Sequence, residues 1–251
     1  MGIGDEVMVS GMVREIYAQN QRKVKVIYEK GPRWFPIWDG NPKIARPDER
    51  GDFMSLYPRC NYLRPYCEEK TAERWRWKPY RPPRGEIFLV KNERAFSELH
   101  SGAIVFAHRL KPGASPNKRW AHERWDRVSH ALSALGIRMI EMGDGPPADR
   151  LAGVEFVQTR IKEAAAVISR ARLVICSEGA AHHIAAAFGV PAIVIFGGYI
   201  SPAVTGYEGQ VSIFRGDDLG CGMRVPCAHC YAAMDSITPD EVIEAARRIL
   251  C

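Results

Sequence analysis

Residues 173–198 constrain the fold more than any other stretch. They read L-V-I-C-S-E-G-A-A-H-H-I-A-A-A-F-G-V-P-A-I-V-I-F-G-G. An apolar run at 173–176 leads into Ser177, Glu178 and Gly179. A small-residue helix is predicted over 180–188, with Gly189 as its stop and a second apolar run at 192–196. Strand, turn, helix, strand is a βαβ unit, the crossover that parallel strands require. Its alanines let the helix lie close to the sheet. Gly179 lets backbone amides approach a ligand, and the positive end of the helix dipole favours an anion there. His182 and His183, one turn inside, are expected to add donors to a phosphate. Taken alone, the unit fits equally well a plain packed element with two satisfied histidines. The segment G-G-Y-I-S-P-A-V-T-G-Y at 197–207 shifts the balance, because it follows the second strand at its carboxyl end. Open α/β sheets bind their ligands at that edge. The expectation is an anion site suited to a diphosphate.

The rest of the chain alternates in the same way. A helix is predicted over about 7–20 after a glycine turn at 2–4, followed by an alternating strand at 24–29. Residues 31–83 are rich in proline and glycine and predict no long helix. The segment P-Y-R-P-P-R-G at 79–85 reads as a linker. Beyond it, strands are predicted at 104–107, 138–141 and 154–157, and helices at 119–135, 161–170 and 239–250. Strands alternating with helices predict an α/β protein with a doubly wound parallel sheet. The expected division is a reduced α/β domain at 1–85 and a Rossmann-like domain at 86–251.

Charge separates these two parts. Residues 1–94 carry 19 Lys and Arg against 13 Asp and Glu, whereas residues 95–251 carry 16 of each, so the net +6 lies in the first part. The excess is densest where Arg74, Arg76, Lys78, Arg81 and Arg84 interleave with Trp75, Trp77 and Tyr80. This is either a solvated basic linker with buried tryptophans or a surface for an anionic acceptor, such as a phosphorylated glycan or nucleic acid. No charged leader precedes an apolar stretch and no apolar run is long enough to span a bilayer. The expected setting is the cytoplasm, where seven cysteines stay mostly reduced. Three of them, Cys221, Cys227 and Cys230, form C-x5-C-x2-C, and the tight half has metal-ligand spacing. They are either a structural zinc or iron site or free thiols. His229, Cys251, Cys60 and Cys67 are the options for a fourth ligand. Cys176, within an apolar strand, reads as a small core residue.

The combination of E-G-x-x-H on an alanine-rich helix, V-P-A-I-V-I-F-G and S-P-x-x-T-G-Y resembles the C-terminal half of glycosyltransferase family 9. These are heptosyltransferase-like enzymes of two-domain GT-B architecture. Gly2-Ile3-Gly4-Asp5 resembles the glycine-rich loop that opens the family's acceptor domain. Asn117-Lys118-Arg119-Trp120 resembles its phosphate-binding segment, and the cysteine-bearing tail resembles one found in part of the family. The resemblance is extensive from about residue 103 onward and thin before it. Two departures stand out. Residues 1–85 are few for a full acceptor domain, and the strand expected ahead of the glycine loop is missing, so this part is either reduced or trimmed at its start. Ser177 and Glu178 stand where the family commonly has Asp and a hydroxyl residue.

The resemblance implies inverting transfer of a sugar from a nucleotide-diphosphate-sugar to a hydroxyl, with no cofactor needed in catalysis. Such chemistry needs a base for the acceptor and positive groups for the leaving diphosphate. Asp5 is the candidate base, with helix capping as its other reading. Lys118, Arg119, Ser177, Gly179, His182 and His183 are the candidate donor-site residues. Glu178, which repels phosphate, is assigned to sugar or ribose hydroxyls. Gly4, Arg74, Arg76 and Trp77 are the candidate acceptor-side residues. An anionic glycan or glycolipid of the cell surface is the expected acceptor. Two alternatives stay open: a glycosyltransferase acting on a hydroxymethylated base in DNA, and a non-catalytic nucleotide- or nucleic-acid-binding module of the same fold.

Overall fold

The computed structural model describes residues 2–59, 63–145 and 149–251. Its centre is a six-stranded, all-parallel sheet built from β6 (Ile104–Ala107), β7 (Met139–Gly143), β8 (Glu155–Gln158), β9 (Leu173–Ser177), β10 (Ala192–Gly197) and β11 (Val211–Phe214). The strand order is β11-β10-β9-β6-β7-β8. In chain order within the sheet this is 6-5-4-1-2-3, the doubly wound order, which reverses direction between β6 and β9. A crevice therefore opens at the carboxyl ends of those two strands. The α/β expectation and the parallel sheet both hold.

The strands alternate between two cores, as the period of two requires. Leu173, Ile175, Ile193 and Ile195 face one side, where α3 (His122–Ser133) and α8 (Pro239–Leu250) pack. Val174, Cys176, Val194 and Phe196 face the other, against α4 (Ile161–Ser169) and α5 (Ala180–Phe188). Coverage on both faces explains why β9 and β10 are apolar throughout rather than alternating. Each fully buried Ile or Leu in these layers stabilises the fold by about 2 kcal/mol. Cys176 is fully buried, a core residue as expected. A helix over Lys91–Leu99, α2, lies on α4, and short α6 (Pro202–Thr205) and α7 (Ala228–Ser236) follow β10 and β11.

Residues 2–85 are built differently. Helix α1 spans Ile3–Asn20, four residues longer at its start than predicted. The reason is local: the Asp5 carboxylate accepts the Gly2 amide at 2.8 Å, so Gly2 caps the helix and Gly4 and Asp5 lie inside its first turn. The expected glycine loop is thus the opening of a helix. Beneath it, β1 (Val24–Tyr28) pairs with β2 (Gly31–Pro32) antiparallel and with β3 (Met54–Leu56) in parallel, and β4 (Cys67–Lys70) with β5 (Trp75–Trp77) makes a separate hairpin. The first helix is buried from Gly4 to Gly11 and packs on α5. At the contact, a Cβ on Gly4 would stand 2.5 Å from the His183 ring, so only glycine permits this approach. No helix among the described residues is long and apolar enough to cross a membrane.

Candidate active site

A cavity of about 670 Å³ opens at the crevice between β6 and β9, within the usual range for small-molecule sites. Its floor is made by the carboxyl ends of the parallel strands: Ala107, Gly143 and Ser177, the last residues of β6, β7 and β9, with Thr159 after β8 and Tyr199 after β10. Its roof comes from residues 2–85, with Asp5, Arg64, Tyr66 and Trp75 facing inward. The helix α5 starts at this cavity, and Ala180 and Ala181 of its first turn line it. First-turn amides have no partner within a helix and carry the positive end of its dipole. The Gly179 amide, by contrast, donates to His182 Nδ1 at 3.1 Å. Amide donors for an anion therefore come from Ala180 and Ala181 rather than from Gly179. The Ser177 hydroxyl is buried against the same cavity with no partner among the described residues.

Opposite charges are paired around this edge. Lys118 Nζ pairs with Glu178, which also accepts from the Thr205 hydroxyl at 3.3 Å. Burial alone would raise the Glu178 carboxyl, but Lys118, His182 and Arg64 together hold it below the usual carboxylate range. Glu178 does not simply repel phosphate: it anchors Lys118 at the floor. A second layer of cations completes the field. Arg64 pairs with Asp5 at 3.1 Å, and burial together with Arg64 and Lys118 pushes the Lys111 ammonium below its ordinary value. Lys111 also stands at the helix start, within 2.9 Å of where a Gly2 Cβ would lie. Crowded, partly desolvated cations of this kind create a positive local field that favours negative charge beside them.

Asp5 faces this field from α1. Its Oδ1 accepts from the Tyr66 hydroxyl at 2.5 Å, and its Oδ2 accepts from the Gly2 amide and faces Arg64. It is 7% exposed and borders the cavity, so it both caps the helix and reaches the site. Its neighbour Glu6 points the other way. Glu6 is fully buried among residues 2–85, accepting from the Tyr28 hydroxyl at 2.6 Å.

Several sequence candidates are not brought to the cavity. Arg119 is exposed and lies outside it. Arg74 and Arg76 are also exposed and outside, Arg74 donating to the Cys221 carbonyl and Arg76 pairing with Glu69. Trp77 does border the cavity, but its indole N–H is committed to the Tyr199 carbonyl at 2.9 Å. His182 is fully buried, and its two ring nitrogens meet the Gly179 amide and the Thr205 carbonyl, leaving no donor for phosphate. His183 lines the cavity with Nδ1 bonded to the Tyr207 hydroxyl at 2.8 Å, and burial keeps its ring neutral. Sequence reasoning missed Arg64, Tyr66 and Lys111. Lys111 follows the predicted strand 104–107 at its carboxyl end, a signal that was there to use. Arg64 and Tyr66 sit in an aperiodic stretch and carried none.

The cysteines form a second centre. Cys221, Cys227, Cys230 and His229 each offer a ligand atom, all within 4.8 Å of one another, so His229 is the fourth member. Cys251 is exposed at the last residue, Cys67 is bonded to the Glu69 carbonyl, and Cys60 lies outside the described residues. Cys221 and Cys230 share a hydrogen bond at 2.8 Å, which pulls the Cys221 thiol below its ordinary value. Asn117 braces this loop, donating to the Met223 and Val225 carbonyls and accepting the Cys227 amide. The asparagine of the N-K-R-W segment is thus a support for the cysteine loop, beside the lysine that faces the cavity.

The chain shares its fold with solved transferases. It is similar to Escherichia coli ADP-heptose LPS heptosyltransferase II, at 18% identity and a TM-score of 0.51 over 69% of this chain and 55% of that one. The chain thus spans about half the length of that enzyme. The glycosyltransferase family 9 protein of Veillonella parvula aligns over 100% of this chain and 95% of its own, at 16% identity and a TM-score of 0.66. No curated protein matches the chain by sequence. The family model for glycosyltransferase family 9 (heptosyltransferase) matches residues 78–229, which include the floor strands, Lys118 and the start of α5. By that match, the chain belongs to glycosyltransferase family 9.

Proposed function

We propose that this protein is an inverting glycosyltransferase that moves a sugar from a nucleotide-diphosphate-sugar to a hydroxyl of an anionic glycan or glycolipid. The observation that carries this reading is the convergence on one cavity of Asp5 on α1 with Lys118, Lys111 and the first turn of α5. The amides of Ala180 and Ala181 with the Ser177 hydroxyl take the diphosphate, and Lys118 and Lys111 offset the charge that grows on it as the sugar leaves. Asp5, held in place by Tyr66 and Arg64, accepts the proton of the attacking hydroxyl. Glu178, ion-paired to Lys118, has its other oxygen at Thr205, within reach of ribose or sugar hydroxyls. Residues 1–85 act as the acceptor-side domain and 86–251 as the donor-side domain.

The Cys221, Cys227, His229 and Cys230 set suits a structural zinc or iron, ions that thiolate and imidazole ligands favour. That ion is outside the transfer chemistry, and elemental content of the purified protein reads it directly. None of the six described cysteines is in a disulfide, and a reducing, cytoplasmic setting suits both the thiols and a thiolate-bound ion.

ADP-heptose, the donor named for the Escherichia coli neighbour, is the first to test. Calorimetry is expected to show binding that weakens at least tenfold in Lys118→Ala, which removes a point charge from the phosphate. Gly179→Val is expected to weaken it as well, because the new side chain meets only the Ser177 carbonyl oxygen, at 3.9 Å, and projects into the cavity beside the first turn of α5. Unchanged affinity in both variants removes the phosphate from this edge. Binding without turnover over a broad acceptor panel would instead support a non-catalytic module, and salt-dependent duplex binding would support a DNA acceptor.

A further inference from the structure

On the opposite side of β6 from the cavity, a second group of polar residues has no role in sugar transfer. His108 follows β6, Glu141 lies within β7, His122 opens α3, and Asp149 belongs to the connection between β7 and β8. His108 is 9% exposed, and among the described residues neither of its ring nitrogens makes a hydrogen bond. The same holds for Oε2 of Glu141, which is fully buried, and for Nδ1 of His122. A buried polar atom without a partner costs about 1–3 kcal/mol. Such atoms converging on one place call for a common partner.

The pattern of what is engaged points to that partner. Each histidine has one nitrogen facing a carboxylate: His108 Nδ1 stands 3.9 Å from Glu141 Oε2, and His122 Nε2 stands 3.3 Å from Asp126. His108 Nε2 and His122 Nδ1 are unpartnered, and the 3.9 Å between His108 Nδ1 and Glu141 is a facing contact rather than a hydrogen bond. Histidines that bind metals are oriented in this way, with the far nitrogen donating to a carboxylate. One ligand atom from each of His108, His122 and Asp149 lies within 4.8 Å of the other two. Three carboxylates, Glu141, Asp126 and Asp149, outnumber the two guanidinium groups nearby. Those are Arg150, 3.3 Å from Glu141, and Arg109, which is turned to the Met142 carbonyl at 2.7 Å.

We propose that His108, His122 and Asp149 bind a divalent transition-metal ion of the zinc class, with Glu141 and Asp126 orienting the two imidazoles. Two histidines and a carboxylate are borderline-hard ligands that suit this class and leave a fourth position for water. The ion ties the loop after β6 to the start of α3 and to the β7–β8 connection. That loop carries Arg109 and Lys111 into the cavity, so the ion fixes the wall of the active site without touching substrate.

Cobalt(II) titration of the full-length protein tests this, with bound ion counted after equilibrium dialysis and the thiolate-to-cobalt absorption followed in parallel. His122→Ala and Asp149→Asn are the variants, since both side chains reach solvent and neither is part of the core. The wild-type protein is expected to bind one more ion than either variant, with the thiolate absorption equal in all three. It is also expected to gain thermal stability with cobalt beyond the gain of either variant. Equal stoichiometry in the three proteins overturns the site. So does a lost ion that takes the thiolate absorption with it, because that ion belongs to the cysteine cluster.

Discussion

The two parts of the molecule obey different rules. Residues 86–251 are layered and repetitive: six parallel strands between two helical faces, with every loop that matters at the carboxyl edge. The described residues of 2–85 hold one long helix, a three-stranded sheet and a hairpin, with little regular structure between them. The layered part supplies to the site its strand ends, the first turn of α5 and the side chains set on them, such as Lys118, Ser177 and Glu178. The irregular part supplies individual side chains, Asp5, Arg64 and Tyr66, which have meaning only once they are docked. A general scaffold with a private cover is how one fold hosts many acceptors.

Docking is close enough to break. Gly222, at φ +66, accepts the Trp75 amide at its carbonyl, and a Cβ there would sit 1.8 Å from the Trp75 carbonyl oxygen. Gly222→Ala must push the β4–β5 hairpin off the cysteine loop. A loss of about 3 kcal/mol in stability is expected by denaturant titration. Donor affinity should fall less than acceptor turnover, because the floor belongs to the other part.

This division also decided what was legible in the sequence. The β9–α5–β10 unit and α8 match their predicted residues to within one, since long apolar periods and clear caps override everything else there. The predicted helix 119–135 begins only at His122, because residues 116–118 form a tight 3-10 turn that Pro116 opens. Helices α2 and α7 were missed: α2 is mostly exposed and buries only Ser97, and α7 begins among the cysteines. For the site, Ser177, Glu178, Lys118 and Asp5 were nominated and meet at the cavity. Arg64 and Tyr66 were not, because their place depends on contacts 59 and more residues away in the chain, such as Tyr66 with Asp5 at a separation of 61. Periodicity records a local rule and is silent on such pairings.

A pH measurement sharpens the comparison within residues 2–85. Burial lifts the Glu6 carboxyl from the usual 4.5 to about 7, against the opposing Tyr28 hydrogen bond. A raised folded-state value means the folded protein binds the extra proton. The stabilisation is therefore complete below about 4.5 and is lost as pH rises to about 7. Glu6→Gln removes this dependence, and its advantage over wild type should grow by up to about 3 kcal/mol between pH 5 and pH 8. Parallel stability curves for the two proteins would place Glu6 in a more polar setting than the fold shows.

The smallest effect is expected at the basic stripe. Arg76 is exposed and its pair with Glu69, at 3.4 Å, is open to solvent on both sides. Arg76→Ala should change stability by no more than about 0.5 kcal/mol and leave donor affinity at the wild-type value. A large loss of acceptor turnover in this variant would extend the acceptor surface beyond the cavity onto the stripe.

Asp5, brought to the cavity in the first turn of α1, is proposed as the base of the transfer. Asp5→Asn keeps the size of the side chain and removes the proton acceptor. Turnover is to be measured beside donor affinity, with the acceptor that the wild-type protein glycosylates and with Glu6→Gln as the control. The account predicts a fall in turnover of about 10²–10⁴ in Asp5→Asn, with donor affinity near wild type and Glu6→Gln close to normal. Wild-type turnover in Asp5→Asn, or a loss no greater than its loss of donor affinity, would contradict it and leave Asp5 as the cap of its helix alone.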